Sequence, residues 1–354
     1  MKSNIPDVPK ADMHVHLEGT ISPAMVEKIA KRNGIPVPAG LIKDGKFSWE
    51  DDGTPAGNLK GFVAAYDEAT GVMKCAADYT DITYDYLKRS AGEGCIYAEI
   101  FISVDHGKMV GLTYPEMLDA ITKGYEKAKA ETGIEARFIS TCVRHYGPAA
   151  ALRVAQTTRD NPHPLVTGFG MAGDENAHSV ADFKPAYDAA YDATALPYRT
   201  AHAGEAAGPQ SVRDARDILK IRRFGHMVRA IDDPALIEEQ KKIDAVPEVC
   251  VSSNLALRAF KDYATHPLRK FFDAGLKVVL GSDDPTFFGT GIGEEYRIAK
   301  DEFGFSDDEL RKITRNAIEE AFVDDATRAR LLAKLDAAAP AVRKAPPQKK
   351  RGID

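Results

Sequence analysis

The feature that most constrains this chain is an alternation of eight short β-rich runs with amphipathic helical stretches. The runs are Ala11–Leu17, Cys95–Ile102, Ala136–Val143, Leu165–Met171, Tyr198–Ala203, Arg223–Met227, Glu248–Ser252 and Lys277–Ser282. Several are continuously apolar, the pattern of parallel strands covered on both faces, whereas a strand with one wet face alternates. Helical patterns between them include Tyr114–Thr132, Phe183–Thr194, Gln210–Lys220, Pro234–Ile243 and Pro267–Ala274. Eight strand–helix units in series predict an α/β fold of the closed TIM-type (β/α)8 class rather than an open sheet. A length of 354 residues suits one such barrel with insertions, expected here as a single unit over 1–337.

Two segments break the rhythm. Residues 18–94 are far longer than one crossover needs and carry helical patterns at Ala24–Asn33, Leu59–Tyr66 and Asp78–Ser90. They are expected to form a helical insertion over one end of the barrel, with Trp49, Phe62 and Tyr66 lending it the character of a lid. Asp307–Ala337 reads as two extra C-terminal helices, and the Ala-, Pro- and Lys-rich stretch 338–354 as a disordered tail.

Composition narrows the partners. With 47 Lys+Arg against 53 Asp+Glu the net charge is −6, which argues against nucleic acid or an anionic membrane as the main partner. No apolar run approaches the roughly 20 residues of a spanning helix. Residues 1–6 lack the apolar stretch of a secretory signal. Cys75, Cys95, Cys142 and Cys250 lie far apart with no CxxC, so they read as reduced thiols of a cytoplasmic protein. Oligomeric state leaves no readable mark.

The chemistry-bearing residues gather at the ends of predicted strands. His14 and His16 stand two apart in His14-Val15-His16-Leu17-Glu18-Gly19, so on a strand both imidazoles point to one face. His202-Ala203-Gly204-Glu205 closes the fifth run, Gly225-His226-Met227 the sixth, and Gly281-Ser282-Asp283-Asp284-Pro285 the eighth. Taken singly, each has a bland reading as a strand-end polar residue, a core histidine or a turn. Together they fall where such barrels place active sites. Three imidazoles and a carboxylate make a plausible zinc shell, leaving Glu205 and His226 free for acid–base work.

The set resembles the adenosine/adenine/AMP deaminase family of metal-dependent hydrolase barrels. The matching pieces are Met13–Gly19, Met171-Ala172-Gly173-Asp174-Glu175, His202-Ala203-Gly204-Glu205, Gly225-His226, Val249–Leu255, His266-Pro267-Leu268 and Ser282–Pro285. They occur in family order. The resemblance implies that His14, His16, His202 and Asp283 hold zinc, with Asp283 and His226 placing the attacking water and His226 helping to deprotonate it. It implies that Glu205 protonates purine nitrogen 1, that Asp284 meets nitrogen 7, and that the Gly173 backbone meets nitrogen 3. His16 and Glu18 complete the substrate contacts. Zinc would lower the pKa of bound water towards about 7 and so supply a nucleophile for carbon 6.

Binuclear relatives carry a bridging Lys at the end of the fourth strand, where this chain has Gly170-Met171-Ala172-Gly173, so one zinc per chain is expected. The PCxxC of the separate cytidine-type zinc deaminases is absent. Glu18, Gly170 and Met227 depart from the usual adenosine deaminase pattern, whereas Ala172–Glu175 follows it. The resulting expectation is hydrolytic deamination of adenosine and 2′-deoxyadenosine in purine salvage. The alternative is adenine or an N6-substituted or modified nucleoside. No basic cluster accompanies the motifs to hold the phosphate of AMP. A barrel retained for binding or signalling without catalysis would lack a ligand or Glu205, and all are present.

Overall fold

The computed structural model describes residues 5–192 and 196–338. Eight parallel strands follow one another around a single sheet in chain order. They are β1 Lys10–His16, β2 Cys95–Ser103, β3 Glu135–Val143, β4 Val166–Ala172, β5 Tyr198–Ala203, β6 Arg223–His226, β7 Val246–Val249 and β8 Val279–Leu280. This is the expected TIM-type barrel, with strand ends shifted by a few residues. The seventh strand departs most: it pairs over Val246–Val249, and Val251–Ala256 turns into a helix. There the Val251 N–H donates to the Glu295 carboxyl at 3.0 Å instead of to a neighbouring strand, which ends the pairing.

Closure onto β1 is carried by the chain just past the two-residue β8. The backbone of Asp283 donates to the His14 carbonyl at 2.8 Å and accepts from the His16 N–H at 2.9 Å. Gly281 permits this approach. A Cβ there would stand 2.5 Å from the His14 Cβ and 2.7 Å from its carbonyl oxygen.

Between β1 and β2 lie three helices, α1 Pro23–Asn33, α2 Pro55–Thr70 and α3 Ala76–Gly92, and a small hairpin pairing Ile42–Lys43 with Lys46–Phe47. Ser22 and Thr54 cap α1 and α2 by accepting from Met25 and Gly57 N–H, and a proline follows each cap. That start signal makes α2 longer than the expected Leu59–Tyr66. Its aromatic face packs on the short helix Pro285–Phe288 after β8, with Phe62 5.0 Å from Phe288 and Tyr66 stacked 5.6 Å from Phe287. Asn58 ties it to the chain after β7 by donating to the Ala256 carbonyl at 2.5 Å.

Helices at Pro148–Asp160 and Ile292–Phe303 complete units that were not anticipated, and Asp307–Glu319 and Asp325–Ala337 are the two terminal ones. The helix expected over Phe183–Thr194 runs from Lys184 to Ala190, and 193–195 lie outside the described residues. So does the segment expected as a tail, apart from Ala338.

The barrel interior holds a charge cluster. Arg223 Nη2 lies 2.8 Å from both Glu99 Oε2 and Glu248 Oε1, and its guanidinium sits 3.7 Å over the Phe322 ring. All three groups are fully buried, so removing Arg223 would leave Glu99 and Glu248 without their shared cation.

Candidate active site

Period-two geometry on β1 aims His14 and His16 together, and they meet His202 from the end of β5 and Asp283 from the closing seam. Nε2 of His202 is 3.0 Å from Nε2 of His14 and 3.2 Å from that of His16. Asp283 Oδ1 is 3.3 Å from His16 Nε2 and 3.6 Å from His14 Nε2. All four ligand atoms lie within 4.8 Å of one another.

The outer ring nitrogens settle the protonation. His14 Nδ1 donates to Glu248 Oε2 at 2.8 Å, and His202 Nδ1 donates to the Met171 carbonyl at 2.8 Å. Burial pushes both imidazoles well below their ordinary pKa, so they are neutral with bare Nε2 lone pairs aimed at one point. Burial also acts on His16, but the Asp284 and Asp283 carboxylates outweigh it and raise that ring to about 9. Two bare imidazole lone pairs converging beside the Asp283 carboxylate call for a cation, and a nitrogen–oxygen shell of this make-up suits zinc.

Glu205 follows His202 by three residues. Burial and the Asp283 and Glu175 carboxylates push its pKa well up, which favours the protonated carboxyl. Its loop is pinned from below by Glu175, whose carboxylate accepts from the backbone N–H of Gly204, Glu205, Ala206 and Ala207 at 2.5 to 3.0 Å and from the Ser211 hydroxyl. His226 Nε2 reaches to 3.5 Å from Glu205 Oε2 and 3.9 Å from Asp283 Oδ2. Burial and its neighbour Asp283 likewise push Asp284 up.

Backbone strain marks the same places. His226, Met227 and Asp283 all have left-handed φ, at 62°, 58° and 59°, a conformation costing roughly 1–3 kcal/mol for a residue with a side chain. Met227 takes that strain with a full side chain, where a glycine would bear none. Gly173, at φ 95°, bears none.

Glu18 and Gly173 line the same cavity, as do Phe62 and Tyr66 of α2. Glu18 is buried and accepts from the Ser103 N–H at 3.3 Å. Every site residue expected from the sequence is therefore at this one cavity or its metal-ready end. Three others were not singled out as site residues. Glu248 and Glu175 hold His14 and the Glu205 loop, and His106 lines the cavity with its Nε2 3.8 Å from Asp67 Oδ1. A carboxylate inside the apolar run Val246–Val249 was the available signal for Glu248. For Glu175 it was membership of a matched motif with no role attached.

A cation-ready cluster beside a buried carboxyl of raised pKa, both at the C-terminal ends of barrel strands, places the chain among hydrolases that activate water. A family model described as adenosine deaminase matches residues 9–338. An adenine deaminase of Agrobacterium fabrum is 45% identical over 326 residues, covering 92% of this chain and 97% of that protein. One from Sinorhizobium medicae is 44% identical, over 92% and 98%. Among solved structures, the adenine deaminase of Arthrobacter aurescens superposes with a TM-score of 0.83 at 27% identity, covering 93% and 98% of the two chains. An amidohydrolase from Burkholderia ambifaria with bound zinc gives 0.81 at 26%, covering 94% and 92%. The chain belongs to the adenosine deaminase family, and it is an enzyme of the hydrolytic deaminase type.

Proposed function

We propose that this protein is a zinc-dependent adenine deaminase that converts adenine and water to hypoxanthine and ammonia. The sequence alone favoured adenosine and 2′-deoxyadenosine. The relatives named adenine deaminase at 42–45% identity, covering nearly their whole length, move the preference to the free base. The observation that carries it in this chain is Glu18. A buried carboxyl at the place expected to meet a ribose can instead pair with the N9–H of free adenine, which a nucleoside lacks. A site built around such a hydrogen bond rejects the analogue that cannot make it.

His14, His16, His202 and Asp283 would hold the zinc ion, which when bound lowers the pKa of water and makes it nucleophilic at neutral pH. His226 and Asp283 hold the attacking water on one face of the ring. As carbon 6 is attacked, electrons move onto nitrogen 1, and protonated Glu205 supplies the proton needed there. Asp284, whose pKa burial and Asp283 push up, is the hydrogen-bond partner of nitrogen 7, and the Gly173 N–H donates to nitrogen 3. Helix α2 covers the cavity, excludes water from the base and acts as a lid. The cytoplasm is the proposed compartment, and the partner is a small purine.

A steady-state panel of adenine, adenosine, 2′-deoxyadenosine, AMP and N6-methyl nucleosides, followed by ultraviolet absorbance, tests the reading. Adenine is expected to lead adenosine in kcat/KM by about 100-fold or more. A lead for adenosine would overturn it.

A further inference from the structure

Two matched pieces of the sequence, Val249–Leu255 and His266-Pro267-Leu268, have no role in the reading above. In the fold they meet behind His226. The Leu268 N–H donates to His266 Nδ1 at 3.3 Å, His266 Nε2 is 3.1 Å from Asn254 Oδ1, and Asn254 Nδ2 is 3.2 Å from His226 Nδ1. All three side chains are buried.

The direction of this chain is fixed at its far end. A backbone amide can only donate, so His266 Nδ1 is bare and the ring proton sits on Nε2. Burial pushes His266 down to about 3, so the ring is neutral. Its Nε2–H must meet an acceptor, which makes the facing Asn254 atom the oxygen. The amide nitrogen of Asn254 then faces His226 and donates, so His226 Nδ1 is bare as well. The remaining ring position, Nε2, is buried without a protein partner and lines the cavity beside Glu205 and Asp283.

We propose that Asn254 and His266 are positioning residues that lock His226 in the tautomer presenting an Nε2–H donor to the reaction centre. The functional meaning of this relay rests on the deaminase reading. His226 then holds the attacking water by donating to its oxygen, and it enters the cycle as an orienting donor with no lone pair free to take a proton. That narrows the role implied by the family resemblance, in which this histidine also helps to deprotonate the water. Each member is required: without the Leu268 amide, His266 could adopt either tautomer, and the amide of Asn254 could turn over.

The test reads the tautomer directly. Protein labelled with 15N-histidine is examined by long-range proton–nitrogen correlation, with the His226 signals identified by their loss in His226→Asn. Wild-type protein is expected to show a neutral His226 protonated at Nε2. In Asn254→Asp a carboxylate accepts from both rings, so a proton is expected on His226 Nδ1. Turnover should fall by about 100-fold or more, with KM within a few-fold and zinc content unchanged. Finding His226 protonated at Nδ1 in the wild type would overturn the proposal, as would an Asn254→Asp variant with unaltered His226 signals and kcat. The spectrum is recorded without substrate, so it stands or falls separately from the identity of the purine.

Discussion

Asp283 donates its backbone N–H to the carbonyl of His14 at 2.8 Å, and this bond joins the last strand of the barrel to the first. The seam that closes the fold therefore sets the spacing between a carboxylate and an imidazole of the metal-ready cluster. Groups placed by sheet register are held more rigidly than groups on free loops.

Gly281 is the point where that seam is tightest. In Gly281→Ala the new methyl would press on His14 backbone and Cβ, so one side must move. Overpacking of this kind costs about 1–3 kcal/mol. The variant is expected to melt lower and to lose zinc on gel filtration. Metal analysis checks this, and full zinc occupancy would show that the seam does not set the ligand spacing.

Glu248 links the cluster to the barrel interior. It accepts from His14 Nδ1 on one oxygen and from Arg223 and Thr200 on the other. Glu248→Gln removes the charge from both partners. Changes to such outer partners typically lower metal affinity about 10–100-fold. Competition with a chelator should report a loss in that range, along with a lower melting temperature from the weakened hydrogen bonds to Arg223 and Thr200.

Glu205 and Glu175 separate chemistry from support. Glu205→Gln should retain zinc and lose turnover by about 10²–10⁴-fold, the worth of a positioned proton donor. Glu175→Gln turns an amide N–H towards backbone donors, so it should loosen the Glu205 loop and lower kcat with zinc retained. Because Glu205 must carry a proton, and burial raises its pKa, activity should fall as pH rises through that raised value. Full activity in Glu205→Gln would remove it from the mechanism.

Glu295 makes stability depend on pH. Burial raises its carboxyl from 4.5 to about 7, against hydrogen bonds from Ser252, Thr290 and Val251. The folded state holds this proton more tightly than the unfolded chain. The associated stability is therefore complete below about 4.5 and is lost as pH rises to about 7. Glu295→Gln can keep the amide bonds on its oxygen and donate to Thr290, with nothing to ionise. Its melting temperature relative to wild type should climb between pH 5 and pH 8, and a constant difference would refute the assignment.

The sequence by itself determined the barrel and most of the site. Runs such as Cys95–Ile102, apolar except for Glu99, are legible because both faces of a parallel strand must be buried, and His14 and His16 are legible because strand side chains repeat every two residues. Short-range signals also started α1 and α2 at Ser22 and Thr54. Tertiary structure decided what lies far away in the chain. His14 and Glu248 are 234 residues apart, so no local pattern pairs them, yet their hydrogen bond chooses which nitrogen of His14 is bare. The Glu175 cradle, the neutral Asn254–His266 relay and the seam at Asp283 are of the same kind. Periodicity records which face of an element is buried, whereas protonation and ligand spacing depend on the partners that burial brings together.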